Sequence, residues 1–262
     1  MEKSELSNGA RIVSFVRDQP TRQVARSNNF ALEWIANSPR VIASSEETIV
    51  IFPDGEGRVH GDKEIAESPK PSIVIVPPGR HEISAHGAAL ILSTDEYPIE
   101  TRDPRVAPIA PAFARVRGEG RIHVYPFADI PLPKDNPRIR FVQSATMSIN
   151  VVMYDGARGR KALSPHAHAD IEQGSLALAG NFVHHLRTPW GTDADAWLED
   201  AHVEAGPDSL ILIPPQLVHT SEGVGDGAHI LLDIFAPPRR DFRAKGWFAN
   251  ADDYTDLASP KA

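Results

Sequence analysis

The chain has no cysteine, no long apolar run and no excess of positive charge, and each absence removes a class of function. Without cysteine, neither disulfides nor thiolate metal sites can form, so any bound metal must rest on nitrogen and oxygen ligands. No uninterrupted apolar segment reaches membrane-spanning length. Residues 1–9 lack the apolar stretch of a secretory signal, so a cytoplasmic protein without a membrane partner is expected. A formal net charge of −8 speaks against general nucleic-acid binding, which calls for a basic patch. Long helical periodicity is also scarce. What is present is a 41% hydrophobic share spread over 262 residues, enough for one large domain or two small ones.

The 23 prolines mostly punctuate short apolar runs. Those runs, Thr48–Phe52, Ser72–Val76, Ala88–Leu92, Met147–Met153, Ser175–Leu178, Ser209–Ile213 and His229–Phe235, read as strands bounded by turn residues. Short, regularly spaced strands predict an all-β sandwich or barrel. The pattern also repeats. Pro71–His81, with its Pro77-Pro78 pair, precedes the apolar run Ala88–Leu92; Pro207–His219, with Pro214-Pro215, precedes His229–Phe235. Upstream, Glu46–Gly55 parallels Glu172–Gly180. A duplication on this scale predicts two similar β-domains. The division is an N-terminal barrel over 1–110, a proline-rich connector over 111–140 and a C-terminal barrel over 141–262. A further strand is expected at Arg121–Pro126, inside the proline-rich stretch Tyr97–Pro137.

The most informative segment is Ser164-Pro165-His166-Ala167-His168-Ala169-Asp170-Ile171-Glu172-Gln173. Two histidines one residue apart on a strand point to the same face and can grip one ion together. His219, closing Ile213-Pro214-Pro215-Gln216-Leu217-Val218-His219, suits a third ligand brought in from another strand.

Together these segments resemble the cupin superfamily. His166, His168, Gln173 and Gly180 match its first motif, and Gly206, Pro214 and His219 match its second. With the N-terminal echoes, the chain looks like a bicupin. That resemblance implies two tandem cupin barrels, each a jelly roll or double-stranded β-helix, with one divalent ion (Zn, Ni, Mn or Fe) in the C-terminal barrel. His166, His168 and His219 are then metal ligands, and the fourth is Glu172 or Gln173. Spacing in four-residue-spacer cupins selects Gln173. Strand parity groups Gln173 with the small residues Ser175 and Ala177, which leave room around an ion, and groups Glu172 with Leu176 and Leu178. Three imidazoles and an amide leave the full charge on the ion and favour anionic or chelating oxygens. The N-terminal histidines His60, His81 and His86 do not repeat this spacing, so that barrel is expected to be metal-free.

A narrower resemblance lies in Asp233-Ile234-Phe235-Ala236-Pro237-Pro238-Arg239, which is similar to the ending of the small cupins that linearise unsaturated uronates from pectin and alginate. It implies that Asp233 is an acid/base group and that Phe235 and Arg239 shape and charge the pocket. A carboxylate among apolar neighbours has a raised pKa, which suits proton transfer; the alternative is a structural Asp bonded to a loop or to Arg239. Period two places His185 and Arg187 on one side of their strand, either to receive a substrate carboxylate or as a solvated rim. Trp190 and Trp197 flank the Gly191–Asp195 loop, inside an insert over 188–202 that this group of cupins lacks, as a lid or pocket wall or as loop anchors. The leading expectation is a metal-dependent enzyme that isomerises or ring-opens a small-molecule sugar acid or keto acid. An Fe(II) dioxygenase and a non-catalytic binding or regulatory protein are the alternatives. A homodimer is compatible with barrel-edge pairing.

Overall fold

The computed structural model describes residues 1–94, 102–109 and 113–257. Among them regular structure is almost entirely strand, with one five-residue α-helix, Arg240–Ala244, and four single-turn 3-10 segments. The all-β expectation holds. The chain forms two compact units: Met1–Phe15, Arg102–Ala107 and Val151–Ile234 make one, and Val16–Thr101, Pro108–Asn150 and Phe235–Ala262 the other.

In the first unit, five neighbouring strands of a seven-stranded sheet run in the order Glu2–Glu5, Arg11–Ser14, Ser209–Ile213, Gln173–Ala179, Ala228–Phe235. Residues 1–15, which the sequence division assigns to the N-terminal barrel, thus lie with this unit. Arg11–Ser14 pairs antiparallel with Ser209–Ile213 and covers what is otherwise a sheet edge. A partner some 200 residues away leaves no local sequence pattern. A second sheet holds Ala201–Ala205, Asn181–Arg187 and Val218–Val224. The turn between Gln173–Ala179 and Asn181–Arg187 is the single residue Gly180, at φ +80°. A Cβ there would meet the His229 ring and the Ala228 carbonyl, so only glycine fits.

Burial alternates along Asn181–Arg187, with Phe182, His184 and Leu186 inside and Val183, His185 and Arg187 outside. Antiparallel register then sets the inner face of the neighbouring strand: Leu186 pairs with His219, His184 with Ser221 and Phe182 with Gly223. Leu186, Ile211, Ile213, Leu217 and Ala10 form one apolar cluster, and Phe182, Ala177 and Leu231 another. Each fully buried large side chain here stabilises the unit by roughly 1.5–3 kcal/mol.

The second unit has a six-stranded sheet, ordered His123–Pro126, Ser72–Val76, Thr48–Phe52, Ala88–Ser93, Ala31–Ala36, Gln23–Arg26, and a four-stranded sheet, ordered Arg40–Ser44, Gly79–Ala85, Gly57–His60, Ile65–Ser68. Its core joins Val50, Phe52, Val74, Val76, Ile83 and Ile91. From residue 113 the expected connector belongs to this unit and carries strands of its own: Phe113–Arg115 pairs with Tyr254–Asp256, and His123–Pro126 with Ser72–Val76. Residues 95–101 and 110–112, which include part of the expected proline-rich stretch, lie outside the described residues. Glu47 is buried and accepts from Arg115 Nε at 2.6 Å and from the Tyr254 hydroxyl at 3.0 Å. His81 faces inward and burial lowers its pKa, while His60 and His86 are exposed.

Candidate metal centre

His166, His168 and His219 converge in the first unit, with one ring nitrogen from each lying within 4.8 Å of the others. The route differs from the sequence reading, which places the His-x-His pair on a strand. His166 makes only an isolated bridge and His168 lies outside any strand, because Pro165 just upstream has no N–H to give a ladder. Backbone pairing does the positioning instead. His166 N–H donates to the His219 carbonyl at 3.0 Å and His219 N–H returns the bond at 2.8 Å. Gln216, at φ +70°, donates its N–H to the His168 carbonyl at 2.7 Å, so the Pro214-Pro215 turn braces the other histidine. Arg158 secures the approach, donating to the Ser221 and Ala162 carbonyls and to Ser164 Oγ.

Ring orientation follows from carbonyls two residues upstream. His166 Nδ1–H donates to the Ser164 carbonyl at 3.0 Å and His219 Nδ1–H to that of Leu217 at 2.8 Å. Each bond leaves Nε2 as the nitrogen with a lone pair to offer an ion. Gln173 is buried, and its Oε1 lies 2.8 Å from His168 Nε2 and 3.1 Å from His219 Nε2. Its Nε2 donates to Ser175 Oγ at 2.9 Å and to Asp233 Oδ1 at 3.0 Å, and that network assigns the amide with oxygen toward the histidines. Glu172 is turned away and accepts from Arg11 Nη2 at 2.7 Å. The donor set offered to an ion is therefore three imidazoles and one amide oxygen, which fits a borderline divalent metal.

Asp233 stands behind this set. Ser175 Oγ and Gln173 Nε2 both donate to its Oδ1, at 2.6 and 3.0 Å, and no donor among the described residues reaches Oδ2. Burial pushes its carboxyl above the usual range, against the opposing pull of Ser175, His166, Gln173 and Arg158.

The other expected pocket residues are placed elsewhere. His185 and Arg187 do share a face, the one opposite His184 and His219. There His185 meets Glu222 at 2.9 Å and His202 at 2.7 Å, and Arg187 forks onto Asp200 on the open surface. Phe235 and Arg239 belong to the second unit, where the Arg239 guanidinium lies over Phe242 at 4.3 Å and Phe235 at 5.3 Å and pairs with Asp241 at 2.7 Å. Trp190 and Trp197 stack on each other at 4.5 Å with 73% and 43% of their surface exposed, so they do not anchor the insert in a core. Sequence reasoning missed Arg158, whose loop has no telling spacing. His184, also without a role in the sequence reading, lies fully inside with Nδ1 2.8 Å from Ser221 Oγ. Burial and the neighbouring imidazoles lower its pKa to about 3.

No protein-family model and no curated protein sequence matches the chain. Solved structures do. An IolB-like protein from Salmonella typhimurium superposes with a TM-score of 0.58 at 11% identity, covering 94% of this chain and 96% of that one. YlbA from E. coli gives 0.57 at 11% identity, covering 90% and 94%. A deletion mutant of Bacillus subtilis oxalate decarboxylase gives 0.54 at 13% identity, covering 90% and 75%. At such identities the likeness is one of fold, and the fold is the cupin type, an all-β architecture of jelly-roll barrels.

Proposed function

We propose that the protein is a metal-dependent enzyme of two cupin barrels whose one working site, in the first unit, isomerises or ring-opens a small sugar acid or keto acid. The observation that carries this reading is the double role of Gln173: its oxygen faces two imidazoles of the triad and its nitrogen holds the carboxylate of Asp233. Metal donors and a proton carrier are thus fixed by one side chain. A divalent ion held by His166, His168, His219 and Gln173 Oε1 supplies Lewis acidity toward a carbonyl or hydroxyl oxygen. Asp233, anchored through Oδ1, exchanges a proton at Oδ2, and its raised pKa brings it closer to a working neutral pH. Ser175 and Gln173 hold that carboxyl in place. No role is given to His185, Arg187 or Arg239, whose side chains are engaged by Glu222, Asp200 and Asp241. One neighbour in fold is named for oxalate, a small carboxylate, which agrees with a site for anionic oxygens.

The test is metal analysis of protein purified without added metal, followed by assay of unsaturated uronates and keto-sugar acids under argon. The reading expects stoichiometric divalent metal and turnover without oxygen. Oxygen uptake coupled to turnover would replace it with the oxygenase reading, and metal-free protein with full activity would end it.

A further inference from the structure

We propose that Nε2 of His184 is a second anchor in the interior of the first unit, hydrogen-bonded to a hydroxyl of the compound held at the triad. The inference rests on the metal-centre reading above and adds to it a requirement for a hydroxylated ligand. Strand register makes the placement. His184 lies on the inner face of Asn181–Arg187, two residues from Leu186, whose cross-strand partner is the ligand His219. Two residues of strand separate positions by roughly 6.6 Å, the reach of a compound of five or six carbons lying along the inner face.

The state of the side chain suggests the ligand chemistry. His184 is 1% exposed, its Nδ1 is engaged by Ser221 Oγ at 2.8 Å, and its Nε2 is buried with no hydrogen-bond partner. Leaving such a nitrogen unpaired is costly, and an apolar residue would fill the space without that cost. Its neighbours on the strand, Phe182 and Leu186, do so. Depending on which partner donates in the Ser221 contact, Nε2 accepts or donates one hydrogen bond. A hydroxyl can answer either. A carboxylate can only accept, and burial beside His219 and His185 disfavours the charged imidazolium that would attract one. His184 therefore reads as a neutral contact for hydroxyl groups, beside a metal centre suited to the anionic end.

Metal-loaded protein titrated calorimetrically with D-gluconate and with hexanoate, matched in carbon number and carboxylate, tests this. Wild type is expected to prefer gluconate. His184→Leu should lower that preference by about tenfold or more, with hexanoate affinity and metal content unchanged, and His184→Gln should restore part of it. An unchanged preference in His184→Leu, an equal loss of both probes, loss of metal, or no gluconate binding to wild type overturns the anchor. A crystal structure of the gluconate complex is the second readout. A ligand hydroxyl on Nε2 supports the proposal, and a water that stays on Nε2 in the complex removes it. Metal-loaded wild type that prefers gluconate through His184 but turns over no sugar acid would sink the enzyme reading alone, and wild type that takes up no metal would sink both.

Discussion

Glu172 and Gln173 are adjacent and nearly alike in shape, yet strand parity sends them to opposite faces, one to Arg11 and one to the triad. Substitutions should therefore separate cleanly. Glu172→Gln is expected to keep full metal content, whereas Gln173→Leu should weaken metal binding by about tenfold or more, as read by competition with a chelating dye. Asp233 and His184 give opposite pH signatures. The folded pKa of Asp233 is raised, so the stability it contributes is present below its unfolded pKa and lost as pH rises through the folded value. Asp233→Asn should then raise the melting temperature of metal-free protein at neutral pH, with the gain vanishing below about pH 4. The same variant should keep its metal and lose turnover by about 10²- to 10⁴-fold. His184, held at about 3 against 6.5 when unfolded, contributes stability above pH 6.5 that is lost as pH falls toward 3. At about 1.4 kcal/mol per pKa unit this amounts to a few kcal/mol, and urea titrations of His184→Leu should show a correspondingly flatter acid limb.

At the scale of elements, what was legible followed the apolar pattern. Thr48–Phe52, Ser72–Val76 and Ser209–Ile213 are buried at every residue, and such runs announce central strands. Val218–Val224 escaped because its inner face carries His219, Ser221 and Gly223, polar or small residues that break the alternation, whereas Asn181–Arg187 was legible from its period of two. Those polar inward positions line the candidate site, so the residues that hid this strand are the ones the proposed function calls on. The His-x-His pair was legible as chemistry and misread as geometry, since carbonyl and amide pairing with His219 and Gln216 takes the place of a ladder. Arg11–Ser14 was invisible for another reason: its meaning lies in the edge of Ser209–Ile213 and the carboxylate of Glu172. Arg11→Ala leaves that carboxylate, only 4% exposed, without its 2.7 Å partner, and should cost about 1–2 kcal/mol in urea unfolding. Adding Glu172→Gln should recover much of the loss. Equal, additive losses would mean that the pair is not coupled.

Over the whole molecule, the segments of the two units alternate along the chain, and that alternation is why boundaries drawn at 110 and 141 from repeats and proline content do not coincide with the packing. A duplication shows where similar patterns recur; it does not show which strand closes which sheet. All four expected metal donors, by contrast, belong to Val151–Ile234 and come from three separate stretches of it, around residues 166–168, 173 and 219. An ion that binds the folded arrangement and not the unfolded chain must stabilise that unit by mass action, about 2.7 kcal/mol when free metal exceeds the dissociation constant a hundredfold. The stabilisation should be local before it is global. Hydrogen exchange with and without metal should show slowed amides at His166, Gln216 and His219, whose N–H bonds tie the ligand-bearing segments together, and in Gln173–Ala179. Amides of Thr48–Phe52 and Ser72–Val76, in the unit that holds none of these donors, should exchange at the same rate in both conditions. His219→Ala should abolish both the protection and the accompanying rise in melting temperature. Protection that survives in that variant, or that appears equally in the second unit, would mean that the ion binds elsewhere.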